Sequence, residues 1–585
     1  MPRDFSRLLR PRSVALVGSE GWCGSVICNL REMGFVWDIW PVADRPVTGD
    51  PATGNPVSGA AGLVKGVRGF TNIDALPAAP DLAMVEAHGQ AAVDAVALLA
   101  ARGAGAAICQ GRADAAALAS AAGDMLLLGP ECPGLVNALE RAPVWSRDHG
   151  LRPLKRGVAI VTRSAAFGEA LSMQRRGLPI ACIAVQTPGA AQTGIAALAQ
   201  ALLEDERISA LGVQAEDLGD PQTFLDLGRC AQRLGKSVVV LRAGDETGAA
   251  ALIARAGMAR VRSPEGFLEA LKILHVLGVL PTNAFASLSF SGTSGAVLRD
   301  LGTAAGLHFP ALTDPQKAAL GAELAPDAVL ANPLDARSAA AGSSARAARI
   351  IAEVMSGRAV LTLLSMDHPR VDRSSDGNWH TLVQAAAAAR RKVGMPLALV
   401  STLPEGMPEA RAEALMAQKL IPLSGLSSAL EGLRACVELG GPQRRIDDVF
   451  VPVPGAAGLL AEPAGAQAML VARGLTVLAT DAPPEAPEIK VAVTAGDAFG
   501  SVLTLRQGAR LASALLPLRE GEARGMLETL GVRRAEVDAV VPALLSVQDY
   551  VIAQDGALAE LELVLRGQDQ GAPHASGLRI RAAGR

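Results

Sequence analysis

Short β-branched runs alternate with alanine- and leucine-rich stretches over the first 280 residues, and this rhythm narrows the fold more than any other feature. Ser13-Val-Ala-Leu-Val-Gly18 is an apolar run closed by glycine, and Val26-Ile-Cys-Asn-Leu-Arg-Glu-Met-Gly34 follows with helical spacing. Asp81-Leu-Ala-Met-Val85 and Ala106-Ala-Ile-Cys109 continue the pattern. Apolar runs without polar alternation are buried on both faces, and a β-α-β-α order lays such strands parallel in a doubly wound sheet. Residues 43–66, rich in Gly, Pro and Asp, read as a loop.

The rhythm restarts twice. Val158–Val161, Ile180–Ile183, Ala210–Val213 and Ser237–Leu241 form a second strand set from near Gly157. Ala286–Phe290, Val360–Leu364 and Leu397–Val400 form a third from near Phe285. At 585 residues the chain exceeds one core and suggests about three to five domains. Val449-Phe-Val-Pro-Val-Pro-Gly455 reads as an extended linker, and Asp481-Ala-Pro-Pro-Glu-Ala-Pro-Glu488 interrupts the tail behind it. The expected division is 1–145, 150–282, 284–445 and 456–585.

Composition excludes several functions. A net charge of −3 and 3% aromatic residues argue against nucleic acid or an anionic membrane as partner. Seven cysteines lie scattered without CxxC pairs, as in a reduced compartment. Met1-Pro-Arg-Asp-Phe5 lacks the pattern of a secretory signal, and no apolar run has the length of a membrane span. The expectation is a cytoplasmic protein. Phe290-Ser-Gly-Thr-Ser-Gly295 lacks nucleophile-elbow spacing, and no His/Cys set has zinc spacing. Asp367-His368 near Asp372 reads as part of a surface loop.

One segment carries a binding signal. Gly18-Ser19-Glu20-Gly21-Trp22-Cys23-Gly24-Ser25 falls directly between strand and helix. Glycines let backbone approach a phosphate, and a helix N-terminus adds N–H groups and a favourable dipole. The spacing is G-x-x-G-x-x-G rather than G-x-G-x-x-G. A nucleotide or CoA pyrophosphate cradle and a plain tight turn stay equally open.

Further motifs, in a fixed order, resemble the NDP-forming acyl-CoA synthetases, relatives of succinyl-CoA synthetase. Leu8-Leu-Arg-Pro-Arg-Ser-Val-Ala-Leu-Val17 is similar to the family opening. Gly129-Pro-Glu-Cys-Pro-Gly134-Leu-Val-Asn137 resembles its Gly-Pro-Asn-Cys-x-Gly motif, with Glu131 replacing asparagine. Val161-Thr-Arg-Ser164-Ala-Ala-Phe-Gly168 resembles its Gln-Ser-Gly turn, altered at Arg163 and Ala165. Ala215-Glu216-Asp217 stands where the family keeps a glutamate facing a phosphohistidine, and Asn332-Pro-Leu-Asp335 matches a third-domain motif.

The resemblance covers most of residues 1–440. It implies α/β architecture: three Rossmann/flavodoxin-like doubly wound domains, then a truncated ATP-grasp-like α+β domain. It implies CoA or acyl-CoA held by Gly18, Ser19, Gly21, Gly24, Ser25, Gly129, Pro130 and Ser164. Arg45 would supply a basic contact, because Val42-Ala43-Asp44 stands where the family has Val-Asn-Pro.

Two departures bear on the chemistry. The family carries a Ser-His-Thr-Gly loop whose histidine relays phosphate, and imidazole nitrogen is a competent nucleophile near pH 7. Here twelve residues separate Gly244 from Gly257, and no histidine lies between His149 and His275. Glu216 is then the family-equivalent catalytic glutamate without its partner, and reads rather as a solvated loop carboxylate. His275, in the apolar stretch Leu271–Gly278, reads as a packed histidine.

The tail resembles the ATP-grasp module at Gly458–Gly474, Gly496–Leu503 and Glu560-Leu-Glu562-Leu-Val564. The lysine strand and glycine-rich loop expected at 478–490 are replaced by the Pro-rich stretch, so ATP and magnesium lose their phosphate site. Glu560 and Glu562 alternate on one strand and share a side, making them the candidate metal ligands against a reading as a solvated sheet edge. The expectation is a CoA- or acyl-CoA-binding protein impaired in phosphate-dependent ligation, with a small-molecule CoA thioester as partner and a homodimer or partner subunit as its assembly. The alternatives are an acid–CoA ligase completed by a partner subunit, and CoA-thioester transfer or lyase chemistry without phosphohistidine.

Overall fold

The structure, a computed structural model, describes residues 4–43, 62–244, 247–339, 343–442, 445–452, 463–477, 488–497, 499–554, 556–568 and 571–582. Two compact units make up the chain. The first is Met1–Asp217 with Cys230–Ala243 and Ala259–Gln443; the second is Leu218–Arg229 with Gly244–Met258 and Arg444–Arg585.

The first unit opens with strands β1 (Ser13–Gly18), β2 (Asp38–Ala43), a short hairpin β3 (Leu63–Val64) and β4 (Val67–Arg68), then β5 (Leu82–Val85), β6 (Ala106–Cys109) and β7 (Leu126–Leu128). β2-β1-β5-β6-β7 form one parallel sheet. From β1 the chain goes to β2 on one side and to β5 on the other. The strand order therefore reverses between β1 and β5, which is where open α/β sheets leave a crevice at their carboxyl edge.

A second sheet contains β8 (Gly134–Asn137), β9 (Ala142–Trp145), β10 (Gly157–Thr162), β11 (Ile180–Val185), β12 (Ile208–Gln214), β13 (Val238–Leu241) and β14 (Ala259–Val261), in the order β14-β13-β12-β10-β11-β8-β9. β10 to β14 run parallel, and β10, β11 and β13 are buried throughout, as uninterrupted apolar runs require. Gly134–Trp145, not read as strand from the sequence, forms a hairpin that pairs antiparallel with β11.

The third sheet, β15 (Phe285–Ser289), β16 (Leu334–Asp335), β17 (Leu361–Ser365), β18 (Leu397–Val400) and β19 (Ile421–Leu423), is parallel in the order β16-β15-β17-β18-β19. One apolar cluster runs from Val158, Ile180 and Phe267 to Phe285, Leu363 and Leu433, so the second and third sheets share a core. Inside it Lys272 Nζ lies 3.1 Å from Glu269 Oε2, and both side chains are wholly buried. Arg176 donates to Glu269 Oε1 and to the Ser424 carbonyl, which gives the buried carboxylate a second cation.

The second unit is α+β. β20 (Thr476–Val477), β21 (Glu488–Asp497), β22 (Gly500–Gln507), β23 (Arg510–Leu515), β24 (Leu558–Gln568) and β25 (Gly571–Ala582) form a mixed sheet in the order β20-β25-β24-β21-β22-β23. Helices Glu520–Leu530 and Arg534–Ala553 bury Leu527, Leu544 and Tyr550 with Val491, Leu503 and Leu561 of the sheet. The chain thus combines Rossmann-like parallel sheets with a C-terminal region consistent with an ATP-grasp-like module. Among the described residues no helix is long and apolar enough to cross a membrane.

Candidate functional site

β1 delivers Gly18 to the reversal point of the first sheet. Only Ser19 separates it from the Glu20–Met33 helix, whose N-cap it is. Gly21, Gly24 and Ser25 are therefore helical rather than parts of an open loop, a correction to the expected cradle. Ser25 Oγ donates back to the Gly21 carbonyl at 3.2 Å, and Gly24 is packed by the aliphatic chain of Lys65. Trp22 turns back over Gly18 and donates from Nε1 to Gln110 Oε1 at 2.8 Å.

A carboxylate sits at the head of this turn. Glu86, the first residue beyond β5, receives the Ser19 amide at 2.7 Å and the Ser19 hydroxyl at 2.8 Å, both on Oε2. A Cβ on Gly18 would lie 2.6 Å from that oxygen and 2.7 Å from Glu86 Cβ. Gly18 is thus the glycine that admits Glu86. As arranged, the turn does not fit a CoA diphosphate, because its leading amide and hydroxyl are committed to an internal anion. The sequence reading missed Glu86, although a lone acidic residue at the carboxyl end of an apolar strand is a visible signal.

Of the other expected CoA contacts, Gly129 and Pro130 follow β7 at the same edge and Ser164 follows β10 of the second sheet, and each has a local structural reason. Gly129, at φ +108°, passes so close to Cys109 that a Cβ would stand 2.3 Å from its carbonyl oxygen. The Pro130 carbonyl accepts from Thr187 Oγ1 at 2.7 Å, and Glu131 accepts from Arg112 Nε at 2.7 Å. Ser164 caps the Ala165–Ser172 helix by accepting the Phe167 amide at 3.2 Å, and its own amide donates to Thr162 Oγ1. Arg45 lies outside the described residues.

Glu216 follows β12, and its side chain is exposed. Its carbonyl accepts from Arg242 Nε at 2.9 Å. The neighbouring Asp217 pairs with Arg163 at 3.3 Å, so one of the altered residues of the turn holds the loop after β12.

The segment that lacks the histidine forms a helix, Thr247–Arg255, with Leu252 and Ile253 buried. Arg255 ends it within the second unit. Its Nη2 donates to the carbonyls of Leu515 at 2.6 Å and Pro517 at 3.0 Å, and its Nε lies 3.1 Å from Glu522 Oε1. Glu522 also accepts the Arg519 amide at 3.0 Å, tying the start of the Glu520–Leu530 helix to the same guanidinium. A cavity of about 360 Å³ beside Arg255 is walled by Ala251, Ala254, Ala512, Ala514 and Met526.

Glu560 and Glu562 do share one side of β24, with Leu561, Leu563 and Leu565 buried on the other. β24 is flanked by β25 and β21, so the pair stands on an inner strand rather than at a sheet edge. Their cross-strand neighbours are Arg581 and Arg579, and Arg581 donates to Glu560 at 2.9 Å. Opposite charges directly across a ladder explain the two carboxylates without an ion. No group of three or more His, Cys, Asp or Glu suited to a metal occurs among the described residues. The stretch 478–487 lies outside them.

Comparisons with known proteins agree with this architecture. A succinyl-CoA ligase-like flavodoxin domain matches residues 155–259, which span β10 to β13 and reach the first residue of β14. Trans-feruloyl-CoA synthase FCS1 from an unknown prokaryotic organism is 27% identical over 372 residues, covering 57% of this chain and 50% of its own. The chain thus spans about half the length of that curated relative. PH0766 from Pyrococcus horikoshii OT3 superposes with a TM-score of 0.64 at 16% identity, over 74% of this chain and 99% of the other. The apo dinucleotide-forming acetyl-coenzyme A synthetase 1 of Ca. Korarchaeum cryptofilum superposes at 0.62 and 17% identity, over 75% and 98%. The second sheet is thus that of a succinyl-CoA ligase-like flavodoxin domain, and the fold is shared with the two superposed proteins. In sequence the chain is similar to a CoA synthase over about half of that relative's length, and one of its domains matches a succinyl-CoA ligase-like model.

Proposed function

We propose that the protein binds CoA or an acyl-CoA and does not relay phosphate. The observation that carries this reading is the Gly244–Gly257 segment, which contains no histidine and forms a helix ended by Arg255. A relay needs a nucleophilic side chain on a movable segment. Arg255 instead spends its donors on carbonyls and a carboxylate of its own unit.

CoA is the ligand class suggested by the matched succinyl-CoA ligase-like domain and by a relative named as a CoA synthase, and the glycine turn can take its diphosphate only once Glu86 leaves it. In this reading Gly18, Ser19, Gly129, Pro130 and Ser164 line the CoA side, and Glu216 has no transfer role. Residues 1–145 act as the CoA-binding domain, 150–282 and 284–445 as the two flavodoxin-type domains, and 456–585 as an ATP-grasp remnant. Calorimetric titration with CoA and with ATP–magnesium, followed by intact-mass analysis after ATP, tests it. CoA binds, ATP gives no heat and the mass stays unphosphorylated. A stable phosphoprotein, or acid-dependent ATP consumption, sinks the proposal.

A further inference from the structure

Glu86 stands where an anionic ligand of the first sheet belongs. The place has the three attributes of a phosphate position: the carboxyl end of β1, the strand reversal between β1 and β5, and the start of a long helix. Its leading donors, the Ser19 amide and hydroxyl, already hold one oxygen of Glu86. The glycine that would let a phosphate approach is used to admit that side chain. Among the described residues no lysine or arginine pairs with Glu86, so its bonds to Ser19 and the positive end of the helix hold it. Glu20 adds a second acidic residue to the first turn of the same helix.

We propose that Glu86 is an internal plug of the CoA diphosphate position, and that CoA binds there only by displacing it. This rests on the CoA-binding reading above. The Glu86 amide donates to the Val17 carbonyl at 2.9 Å, so the main chain is fixed to β1 and displacement would have to move the side chain alone. A carboxylate and a diphosphate cannot share one amide, and their charges repel at hydrogen-bond distance. Glu86 thereby sets specificity. It weakens every ligand that brings phosphate to the turn and leaves a phosphate-free ligand unaffected.

The test titrates three proteins, unsubstituted, Glu86→Gln and Glu86→Ala, with CoA, inorganic pyrophosphate and pantetheine. Gln keeps the shape and removes the charge, and Ala empties the position; melting curves establish that both fold. Removing a charge-assisted competitor should raise affinity for CoA and pyrophosphate by about tenfold or more. Pantetheine affinity should stay unchanged. Equal CoA and pyrophosphate affinities in all three proteins overturn the plug and leave the CoA reading standing. Pyrophosphate binding that improves in the variants while CoA binds to none supports the plug and removes the CoA reading. Tighter CoA binding by the unsubstituted protein than by Glu86→Gln makes Glu86 a ligand contact and overturns the plug. No binding of either ligand by any protein overturns both.

Discussion

His275 is the first histidine after the Gly244–Gly257 segment, and its surroundings remove it from phosphate chemistry. Ser209 Oγ lies 2.7 Å from its Nδ1 and donates its single hydrogen to the Gly157 carbonyl at 3.0 Å. The imidazole Nδ1–H is therefore the donor to Ser209. Burial, reinforced by the Arg156 charge, pushes its pKa down to about 4. The ring is neutral when folded at pH 7 and takes a proton more readily when unfolded. The sign follows: nothing is lost above pH 6.5, and stability falls as pH drops from 6.5 towards 4, by roughly 3 kcal/mol in all. Melting of the unsubstituted protein and of His275→Gln at pH 7.5 and 4.5 checks this. The variant should be the less acid-sensitive of the two, and parallel pH curves would remove the assignment. At this scale the sequence announced a packed histidine through its apolar neighbours. It did not announce Glu86, because the contact with Ser19 spans 67 residues.

At the scale of elements, the parallel strands were legible because burial on both faces forces uninterrupted apolar runs, as in β10 and β11. The β8–β9 hairpin was not assigned to its sheet, since strand pairing between Gly134–Asn137 and Ile180–Val185 leaves no trace in local composition. The Thr247–Arg255 helix shows the same limit. Its alanines suit a helix, but its end depends on acceptors 260 and 262 residues away. Arg255→Ala should lower the stability of the second unit by about 2–4 kcal/mol, because it strips a partly buried Glu522 and two carbonyls of their donor. Arg255→Lys should recover part of the loss. Urea unfolding followed by hydrogen exchange in Glu520–Leu530 reads the effect. An unchanged midpoint for Arg255→Ala would show that the helix end is held by apolar packing alone.

At the scale of the whole molecule, two parallel sheets and a third that is parallel but for its β8–β9 hairpin lie in the first unit, and the mixed sheet β20–β25 lies in the second. The glycine turn, Glu86, Ser164 and Glu216 belong to the first unit, while the Arg255 helix and the Glu560–Glu562 strand belong to the second. The order of these parts was legible from motif order. The grouping of Gly244–Met258 with the C-terminal residues was not, because a chain read locally places that segment with the strands on either side of it. The apolar cluster built from Val491, Leu503, Leu527 and Leu544 lies wholly in the second unit, and the cluster containing Val85 and Leu127 lies wholly in the first. Calorimetry should therefore resolve two transitions. A ligand that binds only the folded first unit raises that transition alone, by about 2.7 kcal/mol at a hundredfold excess over its dissociation constant. CoA should move the first-unit transition and leave the second in place, and the shift should be larger in Glu86→Gln than in the unsubstituted protein. Arg255→Ala identifies the second transition independently by lowering it. A CoA shift confined to the transition that Arg255→Ala lowers would put the ligand in the second unit and overturn the assignment of the glycine turn.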